Sequence, residues 1–240
     1  MNRFSKIRTF TGNPEHLEIL QEGAEVWNQW RHVLLVVKPE LQGIDLQGKD
    51  LQGVDLQGAD LTGAMLKSAN FHNANLSNAL ISKSDLTQTN LAGANLSHAN
   101  LQDSDLYGAD LTDANLEAAQ LTAAKLSCAK LSRANLQHAK LKRTKFIDAE
   151  LQSANLQAAQ LYLTTFVGAD LSHADLRLTS LSARFNVADL TGMKVSTNRV
   201  NVLREDWKTD RVYDQDPWEL KRKGALLFDK DKMLSAIAVL

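Results

Sequence analysis

The side chains able to do chemistry in this chain are few and widely spread. Four of the six histidines, His72, His98, His138 and His173, fall in the middle of the sequence among Asp and Asn residues. Imidazoles and carboxylates brought close together would bind a metal ion. The one cysteine, Cys128, stands between Lys125 and Lys130, and nearby cations draw a thiol toward its reactive thiolate. Acids recur directly before leucines, as at Asp45, Asp50, Asp55, Asp60, Asp105 and Asp110, and paired carboxyls can act as acid and base. No phosphate loop or nucleotide fingerprint is present. Whether any of these groups meet depends on the elements that carry them.

Those elements are governed by a period of five. Residues 94–126 read "ANLSHANLQDSDLYGADLTDANLEAAQLTAAKL", with Leu at every fifth position and usually Ala two residues earlier. From Leu41 to Leu181 the central position is apolar in 29 consecutive units, all Leu except Phe71, Ile81, Phe146 and Phe166. An α-helix advances about 500° in five residues, which would wind the leucines around every side. A straight strand alternates faces, so successive leucines would point oppositely. The chain must therefore turn once per unit in one sense and coil with the leucines inside.

Spacings of 20 residues point to four units per coil. Phe146 and Phe166 are 20 apart, as are the members of the column Asn75, Asn95, Asn115, Asn135 and Asn155. Hydroxyls replace the alanine at Ser84, Ser104, Thr144 and Thr164, all on one side of a four-sided coil. Leu fills the axis, and the Ala position also faces inward, where Ser or Thr fits if its hydroxyl reaches a carbonyl. Asp and Asn suit the turns, because their side chains hydrogen-bond nearby backbone. The last two positions of each unit vary freely, as an outward surface should.

The pattern A-(D/N)-L-x-x, as in "AGANLSHANL" and "GADLTDANL", resembles the pentapeptide repeat family over more than half the chain. The resemblance implies an all-β solenoid: a right-handed, quadrilateral β-helix of about seven coils with β-turns at its corners. At roughly 4.8 Å per coil, such a rod is about 34 Å long. The segment 16–31, "HLEILQEGAEVWNQWR", is similar to the segment preceding the repeats in cyanobacterial members.

Three regions follow: an N-terminal helical cap over 1–40, the β-helix over 41–200, and a small, partly helical segment over 201–240. Asn13 and Pro14 start a helix expected to run to Arg31 and to cover the first coil. After Leu181 the repeat frays, with Phe185 and Leu190 out of register. Residues 217–240 are apolar enough that they either cap the last coil or form a homodimer interface.

On this framework the enzymatic readings fail. His98 and His138 share a column but stand two coils, roughly 10 Å, apart by strand spacing, too far for one metal. Cys128 faces outward without a second cysteine. The acids before leucine are regular enough to be turn residues, and the Asn column reads as a hydrogen-bonded ladder. No cofactor, metal or catalytic group is expected. The net charge of −1 gives no general case for nucleic acid, and the run "VLLVV" at 33–37 is too short to span a membrane. A single cysteine and no signal-peptide pattern point to the cytoplasm.

The charge is banded. An acidic ring (Asp45, Asp50, Asp55, Asp60) begins the repeat, and residues 41–120 carry ten acids against three bases. Then Lys125, Lys130, Arg133, Lys140, Lys142, Arg143 and Lys145 follow with no acid before Asp148. Some family members mimic DNA and bind type II topoisomerases (gyrase), conferring quinolone resistance. Mimicry needs negative charge along a whole face. Here the column Asp45, Met65, Asp85, Asp105, Lys125, Lys145 changes sign, and no loop interrupts the units. The reading favoured is a non-enzymatic scaffold or adaptor that binds a protein through its charged faces, with the basic belt as the candidate surface. No aromatic residue interleaves the lysines in sequence, which disfavours RNA.

Overall fold

The computed structural model describes residues 10–34, 37–179, 183–184, 188–191 and 193–194. The expected C-terminal segment over 201–240, with its apolar stretch 217–240, and the positions Leu181 and Phe185 lie outside the described residues.

A single local event repeats through the chain. After each central Leu the backbone makes a β-turn closed onto it, as in Ala64 N–H to Leu61 O at 3.0 Å. The second residue after Leu has positive φ at every unit from residue 43 to residue 178, between 53° and 70°. This is the signature of a type II turn, which ordinarily asks for Gly. Most of these positions are not Gly: Ser68, Arg143, Leu163 and Leu178 are examples. The left-handed conformation costs a non-Gly residue on the order of 1 kcal/mol.

Four such turns bring the chain back over itself. Parallel bridges join residues 20 apart, from Glu40 with Asp60 to Asn155 with Asp175. Each side of the coil is so short that, among the described residues, only Thr164–Thr165 (β1) and Ala183–Arg184 (β2) extend into two-residue strands. Near the C-terminal end the spacing drops to 19, with Asp170 bridging Asp189 and Asp175 bridging Lys194. One residue has been lost from that coil, which is the register slip expected near Leu190. Leu190 and Met193 are nevertheless buried.

The inward columns are as the period requires. Leu, Ala and the replacing Phe residues are buried along the whole described repeat. Phe146 and Phe166 stack at 5.0 Å between centroids. The inward hydroxyls all donate to carbonyls: Ser84 to Leu61 O, Thr144 to Leu121 O and Thr164 to Leu141 O. Thr89 and Thr179, not singled out by their spacing, do the same toward Leu66 O and Leu176 O.

The Asp and Asn before each Leu do not occupy the turn itself. They sit at the bridge positions on the flat sides, and their Oδ1 accepts the N–H two residues ahead, as in Thr62 to Asp60 at 3.1 Å. The same oxygens receive amides from the next coil. Asn75 donates to Asp55, Asn95 to Asn75, Asn115 to Asn95 and Asn135 to Asn115, at 2.9 to 3.5 Å. The expected Asn ladder is therefore present from Asn75 to Asn135.

The N-terminal region corrects the expectation of one helix over 13–31. It forms α1 (Pro14–Gln21) and α2 (Ala24–Val33). Asn13 caps α1 by accepting from Glu15 N–H. Gly23, at φ 109°, ends that run and starts the next in a new direction, a conformation an L side chain resists. α2 lies against the first coil. Trp27, fully buried, donates Nε1 to Asp55 O at 2.6 Å. Asn28 bonds both Gly53 O and Asp55 N–H. Arg31 donates to Val37 O and Gln57 O, and His16 accepts Glu40 N–H at Nδ1.

Two tests address the interior. Leu116→Asp puts a charge where exposure is nil and should cost roughly 3–5 kcal/mol, while Ala114→Leu should cost about 1–3 kcal/mol by overpacking. Unchanged urea midpoints for both would contradict the inward columns. Thr144→Val keeps the shape but removes the donor to Leu121 O, and a loss near 1 kcal/mol is expected from urea unfolding.

Candidate functional site

The coil places the basic belt on the outside, because its residues occupy bridge or turn positions. Lys125, Lys130, Lys140 and Lys145 lie at bridges, while Arg133, Lys142 and Arg143 lie in turns. All seven side chains are exposed.

The belt divides by its partners. Two members are tied to the acidic stem one coil below. Lys125 Nζ meets Asp105 Oδ2 at 2.9 Å, and Arg133 clasps Asp113 through Nε and a terminal nitrogen at 2.7 and 2.6 Å. The Arg133 guanidinium, mainly through those hydrogen bonds, holds the Asp113 carboxyl below the usual carboxylate range. Both pairs are solvent-facing, and such pairs contribute little to stability. Lys130 stands in the ladder between Asp110 and Glu150.

The other four converge on one corner. Lys140, Lys142, Arg143 and Lys145 are all exposed and lie within six residues spanning a single turn. Lys142 Nζ lies 5.5 Å from the ring centroid of Tyr162, one coil above. Among the described residues, Lys140, Arg143 and Lys145 form no ion pair. Tyr162 and Leu163 sit directly above this corner, 54 % and 52 % exposed. The sequence alone shows no aromatic residue interleaved with the lysines. Along the chain that is so, but the 20-residue coil sets Tyr162 against Lys142. The missed signal was the column, not the neighbourhood in sequence.

The acidic ring is likewise divided. Asp55 lies 3.7 Å from Arg31 Nε, and Asp60 lies 3.8 Å from Lys38 Nζ. Asp45 and Asp50 are exposed with no cation among the described residues. Burial pushes the Asp60 carboxyl up, but hydrogen bonds from Thr62 and Gln42 and the charge of Lys38 outweigh it, and its pKa is lowered. Asp170 and Asp175 are lowered in the same manner, against burial, by Ser172 and Gln152 and by Arg177 and Gln157.

The remaining reactive side chains stay apart. Among the described residues no group of three or more His, Cys, Asp or Glu is placed to hold a metal ion. No helix among them is long and apolar enough to cross a membrane. Cys128 is exposed, and a hydrogen bond to it raises the pKa of the Tyr107 phenol.

The lowered carboxyls carry a pH signature. A carboxyl depressed on folding contributes stability above its unfolded pKa, near 3.9 for Asp, and that contribution disappears as pH falls through the folded value. The triple variant Asp60→Asn, Asp170→Asn, Asp175→Asn should therefore lose less melting temperature than wild type between about pH 5 and pH 2. Parallel acid curves for the two proteins would contradict the assignment.

Comparison with known proteins matches this geometry. The family model for pentapeptide repeats matches residues 44–82, 79–117, 114–149 and 144–182. The chain is 35% identical to HetL, a pentapeptide repeat protein involved in heterocyst differentiation regulation from the cyanobacterium Nostoc, covering 64% of this chain and 73% of that one at a TM-score of 0.40. QnrB1, a plasmid-mediated fluoroquinolone resistance protein, is similar at 20% identity, covering 70% and 92% at a TM-score of 0.49. Rfr23 from the cyanobacterium Cyanothece is similar at 30% identity, covering 43% and 61% at a TM-score of 0.24. No curated protein matches the chain. A 20-residue coil, an inward Leu and Ala lining and the family match agree, and the chain belongs to the pentapeptide repeat family, whose fold is a right-handed quadrilateral β-helix.

Proposed function

We propose that this protein is a non-enzymatic adaptor of the cytoplasm, and that it binds an acidic partner protein at the corner formed by Lys140, Lys142, Arg143 and Lys145. The observation carrying this reading is the contrast within the belt. Lys125 and Arg133 are satisfied by the chain's own acids, whereas the corner cations have no carboxylate partner among the described residues. Like charges held at one corner repel, and Lys125 and Lys145 are neighbours on one ladder. An acidic surface docking there would relieve that repulsion and steer its own approach.

The apolar rim supports the same surface. Leu163 is half exposed in a turn conformation that Gly or Asn would adopt at lower cost. Beside Tyr162 it offers an anchor of the kind found at the centre of protein interfaces. The sign change between Asp105 and Lys125 speaks against continuous phosphate mimicry along that ladder.

The test is a cross-linked pull-down from host lysate with wild type and a Lys142→Glu, Arg143→Glu, Lys145→Glu variant, both shown to be folded. A protein captured by wild type and lost with the reversal, with salt-sensitive binding, is the expected result. Identical capture by both proteins would remove the corner from consideration.

A further inference from the structure

The ladder of bridge positions that carries the sign change is antisymmetric about its own middle. It runs through Met65, Asp85 and Asp105 and then through Lys125, Lys145 and Thr165, each bridged to the next. Its backbone begins at residue 45 and reaches residue 184, so four rungs lie on each side of the point between Asp105 and Lys125. A two-fold axis lying across the outside of this face at that point, perpendicular to the rod, generates an antiparallel second copy. Asp105 then faces Lys125 of the second copy, Asp85 faces its Lys145, and Met65 faces its Thr165. A two-fold interface is self-complementary in this way, because each contact occurs twice.

Alone, the ladder is electrostatically unfavourable. A strand spacing of roughly 4.8 Å sets like charges side by side on one face, Asp85 next to Asp105 and Lys125 next to Lys145. The central rungs are paired within the chain, with Lys125 Nζ 2.9 Å from Asp105 Oδ2. Among the described residues neither Asp85 nor Lys145 forms an ion pair. The two acids are held in place, because each accepts the N–H two residues ahead, from Thr87 and from Tyr107. An antiparallel copy sets one Asp105–Lys125 pair against another, which makes a square of alternating charge. It also supplies Asp85 and Lys145 with opposite charges.

The corner bordering this ladder adds an apolar anchor at the same height. Tyr107 is 51 % exposed there, and the axis places it beside Ser127 of the second copy, about one coil from that copy's Tyr107. An exposed aromatic residue near the centre of a charged patch is the usual anchor of a protein interface. At the opposite rim Lys83 and Arg143 would face one another, but both are exposed and their repulsion is screened by solvent and salt. No other described ladder has this symmetry. The same axis on the next face would set Asn90 against Glu150 and Asn70 against Asp170, and the Asn ladder carries no charge from Asn75 to Asn155.

We propose that two copies of this chain pair face to face and antiparallel along the ladder of Asp85, Asp105, Lys125 and Lys145. The face is narrow, so the pairing is reversible and salt-sensitive. The inference does not rest on the adaptor reading, since Lys140, Lys142 and Arg143 stay outside the paired ladder. It is measured on pure protein, so its failure leaves capture from a lysate untouched.

The test is sedimentation of the full chain together with cross-linking through its own cysteine. Wild type should show a concentration-dependent dimer whose dissociation constant rises at least about tenfold between about 50 mM and 0.5 M salt. Cys128 is exposed and lies in the central coils, about one coil from its counterpart across the axis, so a short bis-maleimide should link the two copies. Moving the thiol to a remote corner, with Ser97→Cys and Cys128→Ser, should reduce that linkage at least about tenfold. Asp85→Lys with Asp105→Lys should be monomeric, as should Lys125→Asp with Lys145→Asp, and an equimolar mixture of the two should restore the dimer. A wild type that stays monomeric at every concentration in low salt would overturn the proposal. So would a dimer that cross-links equally from both cysteine positions, or one that persists in either reversed variant alone.

Discussion

The structure depends on one backbone constraint, the turn with positive φ two residues after each central Leu. It redirects the chain at every unit in the same sense, so that each Leu and each Ala arrives at the axis. Were that turn to relax in one unit, the next Leu would leave the interior and the 20-residue register above it would be lost. The constraint is held by two reinforcements. The Leu carbonyl closes the turn from behind, and the Asp or Asn Oδ1 accepts the first turn N–H from ahead, as Asp110 does for Thr112. Cooperative stacking then spreads the cost, because each turn also bonds its counterpart one coil away.

This explains what could be read from the sequence. The inward columns were legible because burial acts on residue type: Leu and Ala at a fixed period leave little choice of backbone. The ladder of Asn75 to Asn135 was legible for the same reason, since identical amides stack only at the coil period. The turn positions were not legible. Ser68, Arg143 and Leu163 carry no mark of a left-handed conformation, which is imposed by the coil rather than chosen by the side chain. Here tertiary context outweighs local propensity. The helix break at Gly23 was hidden differently: Leu17, Leu20, Ala24 and Trp27 keep a helical spacing across it, so the apolar pattern continues while the backbone does not.

The candidate surface was half legible. Counting charges along the chain finds the basic belt but treats its members alike. Folding separates them, because partners 20 residues away decide which cations are already neutralised. Arg133 and Asp113 are such a pair, as are Lys125 and Asp105. The corner at 140–145 stands out only after those pairs are removed. Tyr162 joins it through the same 20-residue relation.

A coil of this kind also limits where specificity can reside. Its interior is uniform, so variation is confined to the outward side chains of the bridge positions, the corners and the ends. At corners, the residue with positive φ is the most outward and the least constrained by packing. An apolar side chain there gains nothing from the core and bears the conformational cost in full, which the exposed Leu163 and Leu178 both do. Leu163 stands beside four clustered cations, and that coincidence gives the corner a chemical character that solubility alone would not require.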